Sequence, residues 1–322
     1  MGYLRQYSPF LQLITFLGLW FAFMLLYSLF LAGFFPAISG GYTIGQMEDT
    51  KVWGDPAFVR GLKIVQFLYT LVSFLVPGLI FAYLAHPRPA VYMGLAQRPR
   101  TLQLLLALLV VFCALPLVNV LGEWNSTWPV SQSLRDLEEL ATKQTKLLLN
   151  MPDIGTMLFN LLLLALLPAI AEEVFFRGVL QRILTAWVKN GWAAAIIAAI
   201  IFSAIHMQFL GFMPRLLLGF LMGAIYLVTG NLWLAIAGHF LNNGLQVVLV
   251  YLYQAKMISY DAMKDEHVPA MYGLFSALVA GLLIWQLYKK ARAAGQAFAL
   301  PPEPGDEEQA AETDNDSIFK DH

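Results

Sequence analysis

The chain has 322 residues, 59% of them hydrophobic and 13% charged, with a formal net charge of −1 and a mean hydropathy of +0.64. Soluble domains are roughly 45–50% apolar and about 25% charged, so this composition excludes a water-soluble globule and makes the chain a polytopic membrane protein. The near-zero charge hides two unlike parts: eight of the 21 acids and one of the 20 bases lie in residues 301–322, leaving that tail net −7 and residues 1–300 net +6.

A membrane span needs ~20 mostly apolar residues. In chain order the candidates are 10–35, 62–84, 102–121, 156–171, 192–210, 214–229, 232–253 and 270–288. The expected fold class is therefore all-α, a transmembrane helical bundle of about eight spans. The first apolar stretch exceeds the ~7–15-residue core of a cleavable signal peptide and reads as a retained span. Between the third and fourth spans, segment 131–150 carries apolar residues at helical spacing behind a polar Ser131 start. It reads as an amphipathic helix on the outer surface. Pro168, Gly211 and Pro214 interrupt the middle of the chain, where broken backbone must line protein or a wet cavity. Gly219 and Gly223 form a GxxxG pair suited to close helix approach. Trp187 and Trp192 are expected near the interface. The single Cys113 excludes a disulfide or a cysteine metal site within one chain.

Basic residues set the expected orientation. Arg5 precedes the first span; Arg88, Arg98 and Arg100 follow the second; Arg177, Arg182 and Lys189 follow the fourth; Lys289, Lys290 and Arg292 follow the eighth. With eight spans all of these share one side, so both termini are expected in the cytoplasm, in a bacterial inner membrane. A basic membrane body of this kind faces anionic lipid and is no case for nucleic acid. The expected organisation is N-terminal spans and the outer helix over 1–150, a core over 151–255, a last span over 256–292 and a disordered, solvated acidic tail over 293–322.

Ionisable groups inside spans are expensive and mark function by default. Three places concentrate them. In AEEVFFRG (171–178), Glu172 and Glu173 are adjacent and point about 100° apart on a helix. Arg177 lies four residues after Glu173, the order that favours an ion pair. Such a pair leaves Glu172 free to act as a general base. In FSAIH (202–206), Phe202 and His206 share one helix face, and a lone histidine there fits packing as well as catalysis. In GHFLNNGLQ (238–246), His239, Asn242, Asn243 and Gln246 form one polar stripe. Such a stripe also fits interhelical hydrogen bonding, which explains His239 least well. Together Glu172, His206 and His239 suffice as metal ligands, holding Zn²⁺ with a fourth position open. The same set works equally without metal, Glu172 and His206 polarising water while His239 and Asn243 stabilise an oxyanion. The spacing does not choose between the two. HExxH is absent.

EExxxR (Glu172, Glu173, Arg177), FxxxH (Phe202, His206) and HxxxN (His239, Asn243) occur in that order, each on an expected span. Over roughly residues 156–253 the chain thereby resembles the CPBP family of intramembrane proteases, the CAAX-protease and bacteriocin-processing group also called Abi. The resemblance implies a helical membrane endopeptidase with its site inside the bilayer, opening toward the cytoplasm. It implies Glu172 and His206 as water-activating residues, His239 and Asn243 as the oxyanion pair, and Glu173 and Arg177 as supporting residues. The substrate would be a membrane protein or peptide; the sequence fixes neither its identity nor the oligomeric state. The rival reading is a non-catalytic membrane protein that binds a peptide or confers bacteriocin self-immunity. A transporter is weaker, since no matching pair of broken segments is visible.

Overall fold

The computed structural model describes residues 3–47, 49–264 and 267–295. The expected acidic tail falls almost wholly outside these residues. All regular structure among the described residues is helical. The principal helices are α1 (Pro9–Ser39), α2 (Pro56–Ala85), α3 (Thr101–Ser126), α4 (Gln132–Leu148), α5 (Ile154–Val188), α6 (Gly191–Ala204), α7 (Phe212–Thr229), α8 (Leu232–Gln254) and α9 (Ala270–Ala293). Seven of them are long and apolar enough to cross a membrane, and α6 alone of the expected spans falls short. Fourteen residues at 1.5 Å rise give α6 only about 21 Å.

The chain nevertheless runs the length of the bundle eight times. At one end, Gly94 packs on Gly230, the Tyr226 hydroxyl donates to the Met93 carbonyl at 3.1 Å and the Trp233 indole donates to Leu95 at 2.9 Å. At the other end, the Asn125 carboxamide donates to the Phe209 carbonyl at 2.9 Å. Segment 205–211, with a 3₁₀ turn at Phe209–Gly211, therefore completes the crossing that α6 begins. Both ends of the described chain lie at the first of these poles. The Leu4 amide donates to Leu84, and α9 runs antiparallel to α3, with Gly273 beside Val120 and Ser276 bonded to Cys113.

Local sequence explains the helix ends. Ser8, Ser131, Asp153, Asn190 and Asn231 cap α1, α4, α5, α6 and α8 with side-chain acceptors. Three π-helical turns interrupt the long helices, at Leu71–Leu75 in α2 and at Leu161–Leu166 and Val174–Leu180 in α5. The first two precede Pro77 and Pro168, whose missing amides break the i to i−4 ladder. The third follows Glu173 directly. It carries α5 well past the expected end of its span, so Arg177 and Arg182 lie inside the helix and are buried. Of that basic group only Lys189 stands in a connecting turn.

In lipid the hydrophobic effect does not drive helices together, so close backbone approach matters more. A Cβ on Gly219 would meet Phe202 Cδ1 at 3.0 Å and Ala199 Cα at 3.3 Å; one on Gly223 would meet Ala195 Cβ at 3.3 Å. The GxxxG pair is thus the seam between α7 and the alanine face of α6. Beside it, Phe16, Phe175, Phe176 and Phe202 form a run of ring contacts with centroids 4.6–5.1 Å apart, which ends against His239 at 6.1 Å.

Candidate active site

Glu172 and Glu173 occupy different worlds although they are neighbours. Glu173 is fully buried, and its Oε1 accepts from Arg177 Nη1 at 2.8 Å. The same oxygen lies 2.8 Å from His239 Nδ1. Because a carboxylate can only accept, Nδ1 carries the proton and Nε2 is left facing the cavity. Arg177 is 1% exposed and spends Nη2 on the Gly219 carbonyl at 2.6 Å. It also stacks over the Phe202 ring, 5.0 Å from its centroid. One buried ion pair therefore ties α5 to α7 and aims the histidine of α8.

Glu172 instead lines a cavity of about 460 Å³ together with Phe202, His206, His239, Asn242, Asn243 and Gln246. Its Oε2 lies 4.0 Å from His239 Nε2. His206 sits just past the end of α6, where Nδ1 donates to the Phe202 carbonyl at 2.7 Å and leaves Nε2 unspent. The next residue, Met207, holds a left-handed φ of 53°, which turns the chain away just after His206. On α8, Asn242 donates to Asn243 Oδ1 at 3.0 Å, so the Asn243 amide hydrogens remain available. His239, Asn242, Asn243 and Gln246 all line the cavity, and His239 also makes the interhelical bond to Glu173.

The three motifs read from sequence thus converge on one space, and the Glu173–Arg177 pair forms as its spacing predicts. Two features were not singled out in the sequence. Glu173 serves His239 as well as Arg177, which no spacing rule reveals. Arg215, a charged residue within an expected span, also lines the cavity; its position inside an apolar stretch was the available signal.

No group of three or more His, Cys, Asp or Glu side chains among the described residues is placed to hold a metal ion. Glu172, His206 and His239 share the cavity, with Glu172 Oε2 4.0 Å from His239 Nε2, and do not close as a ligand set. The cavity's exposed lining residues Asn119, Gln246 and Tyr260 all lie toward the end opposite the chain termini.

Fold and site define a multi-pass helical membrane protein with a half-buried carboxylate, two imidazoles and a carboxamide in one cavity. Residues 154–245 match the family described as "Type II CAAX prenyl endopeptidase Rce1-like", which is the group that the three motifs resemble. The chain is also 36% identical over 86 residues to the Bacillus subtilis (strain 168) protein named "Uncharacterized protein YpbD". That similarity covers 26% of this chain and spans 41% of the relative's length. No solved structure matches the chain.

Proposed function

We propose that this protein is an intramembrane endopeptidase that hydrolyses a peptide bond of a membrane-associated protein or peptide. The observation that carries the reading is the convergence of Glu172 from α5, His206 from the end of α6, and His239 and Asn243 from α8 on one cavity. The endopeptidase description of the family matched over 154–245 supports it.

In this reading a water molecule sits between Glu172 and His206 Nε2. Glu172 takes its proton as the new C–O bond forms, and the carbonyl becomes a tetrahedral oxyanion. The Asn243 amide donates to that oxygen, and so does Nε2–H of His239 in its imidazolium form, whose Nδ1–H is held by the Glu173 carboxylate. The proton on Glu172 then passes to the leaving nitrogen as the C–N bond breaks. Charge balance favours the scheme, because Arg177 neutralises Glu173 and leaves the negative charge of Glu172 free for chemistry. Orientation follows from the basic loops: both termini lie in the cytoplasm of a bacterial cell and the cavity opens on the opposite face of the inner membrane.

The deciding experiment is mass-spectrometric profiling of a peptide library with purified protein in liposomes. Wild type is expected to produce a defined set of cut bonds, and Glu172→Gln is expected to lower their rates at least ~100-fold while remaining monodisperse. Equal cleavage by the two proteins would sink the assignment of Glu172 as base.

A further inference from the structure

Among its lining residues the cavity holds one charged group that this reaction scheme does not use. Arg215, in the first turn of α7, lines the same space as Glu172, His206 and His239. Its Nη1 donates to the Gln208 carbonyl at 3.1 Å, and Nη2 donates to Gln208 Oε1. Both acceptors are uncharged. Among the described residues no carboxylate lies within 4.0 Å of the guanidinium. Glu138 of α4 faces it from the neighbouring helix, but its Oε1 accepts from the Leu210 amide at 2.9 Å. Arginine carries five N–H donors, so three remain without a protein partner.

The guanidinium is also seated. Gly211 lies directly behind it, and a Cβ there would meet Arg215 Nη1 at 2.7 Å and Cζ at 2.9 Å. The glycine leaves the room, and Gln208 fixes the plane of the fork from one edge. Glu138 acts on it only through space, beyond ion-pair distance, and a half-buried, oriented cation without a contact ion pair is costly inside a membrane span. It becomes favourable when an anion enters. Arginine's planar fork matches a carboxylate bidentately, and the pair is strengthened where water is scarce.

Resting on the peptidase reading, we propose that Arg215 is the anion anchor of the cavity, and that the substrate is seated with a carboxylate on its guanidinium. That carboxylate is either an Asp or Glu side chain near the cut bond or the free C-terminus of a short tail. In both cases the anchored group lies on the α7 side of the cavity while Glu172 and His206 address the scissile carbonyl. Arg215 then acts on substrate choice by binding.

The test uses full-length protein in liposomes and fluorescent peptides in matched pairs. One arm exchanges Asp or Glu for Asn or Gln at each position around the cut bond; the other exchanges a free C-terminal acid for its amide. Affinity is read by anisotropy on Glu172→Gln protein, so the result does not depend on turnover, and kcat/KM is read on wild type. Carboxylate peptides are expected to bind about 10- to 100-fold tighter than their neutral partners. In Arg215→Gln that ratio should fall to near one, and Arg215→Lys should keep part of it. The arm that shows the preference identifies the source of the carboxylate. An acid-to-amide ratio near one in otherwise wild-type cavities, or a ratio untouched by Arg215→Gln, would overturn the proposal. Loss of cleavage with the binding preference intact would instead refute the peptidase reading and leave the anchor standing.

Discussion

Two adjacent glutamates behave differently here because one helical step of about 100° moves a carboxylate from a protein interior to a cavity wall. Glu173 is locked between Arg177 and His239, all three buried. Removing its charge strands a buried guanidinium, for which a cost of about 3–5 kcal/mol is typical. Glu173→Gln should therefore lower the thermal midpoint in detergent markedly, whereas Glu172→Gln should leave it close to wild type. A differential melting experiment on the two isosteric variants checks this, and equal midpoints would contradict the division of labour. Arg177→Lys should resemble Glu173→Gln, since an ammonium cannot reach both Glu173 and the Gly219 carbonyl as the guanidinium fork does.

The element that most directly sets the site is the break between α6 and α7. Asn125 of α3 spans it, donating to the Phe209 carbonyl at 2.9 Å and accepting from the Met213 amide at 2.8 Å. Asn125→Ala leaves both backbone groups unmet, each at roughly 1–3 kcal/mol. Hydrogen exchange across 205–213 should accelerate, and kcat should fall more than KM changes, because His206 is carried on this segment. Unchanged exchange would show that the α6–α7 seam alone holds the loop. At the entry of α5, the backbone amide of Thr156 bonds the Asp153 carboxylate and, with the Thr156 hydroxyl, holds its pKa below the ordinary value. A depressed carboxylate stabilises the fold above its unfolded pKa of about 3.9 and loses that contribution as pH falls through the lower folded value. Below about pH 4 the first turn of α5 should therefore fray in wild type, while Asp153→Asn, still a capping residue, should lose this pH dependence. Exchange rates at residues 154–157 against pH decide it.

Over the whole molecule, charge is sorted between the two ends. Arg5, Arg88, Arg98, Arg100, Lys189, Lys289, Lys290 and Arg292 gather at the end with both termini, where the described residues include no acid. The cavity opens at the other end, under the mixed-charge surface of α4 and segment 255–264. With the termini in the cytoplasm, as proposed above, the opening would lie outside it. In a Cys113→Ala background, a membrane-impermeant maleimide should label Tyr260→Cys on intact cells and should label Arg98→Cys only after lysis. The reverse pattern would invert the orientation.

The all-α membrane class, seven of the eight spans and the α4 helix were legible in the sequence, because apolar length and helical period are local properties of the chain. The i, i+4 rule placed Arg177 on Glu173, and intramembrane polarity marked Glu172, His206, His239 and Asn243. Tertiary structure decided what those rules cannot reach. The π turn after Glu173 carries α5 onward and buries Arg177 and Arg182, which composition reads as loop charges. The pairing of His239 with Glu173, 66 residues apart, depends on where α8 packs. The direction in which the cavity opens depends on the register of α3, α7 and α8 together. Each is a through-space relation between helices, set by packing and by the cost of leaving a charge unpaired.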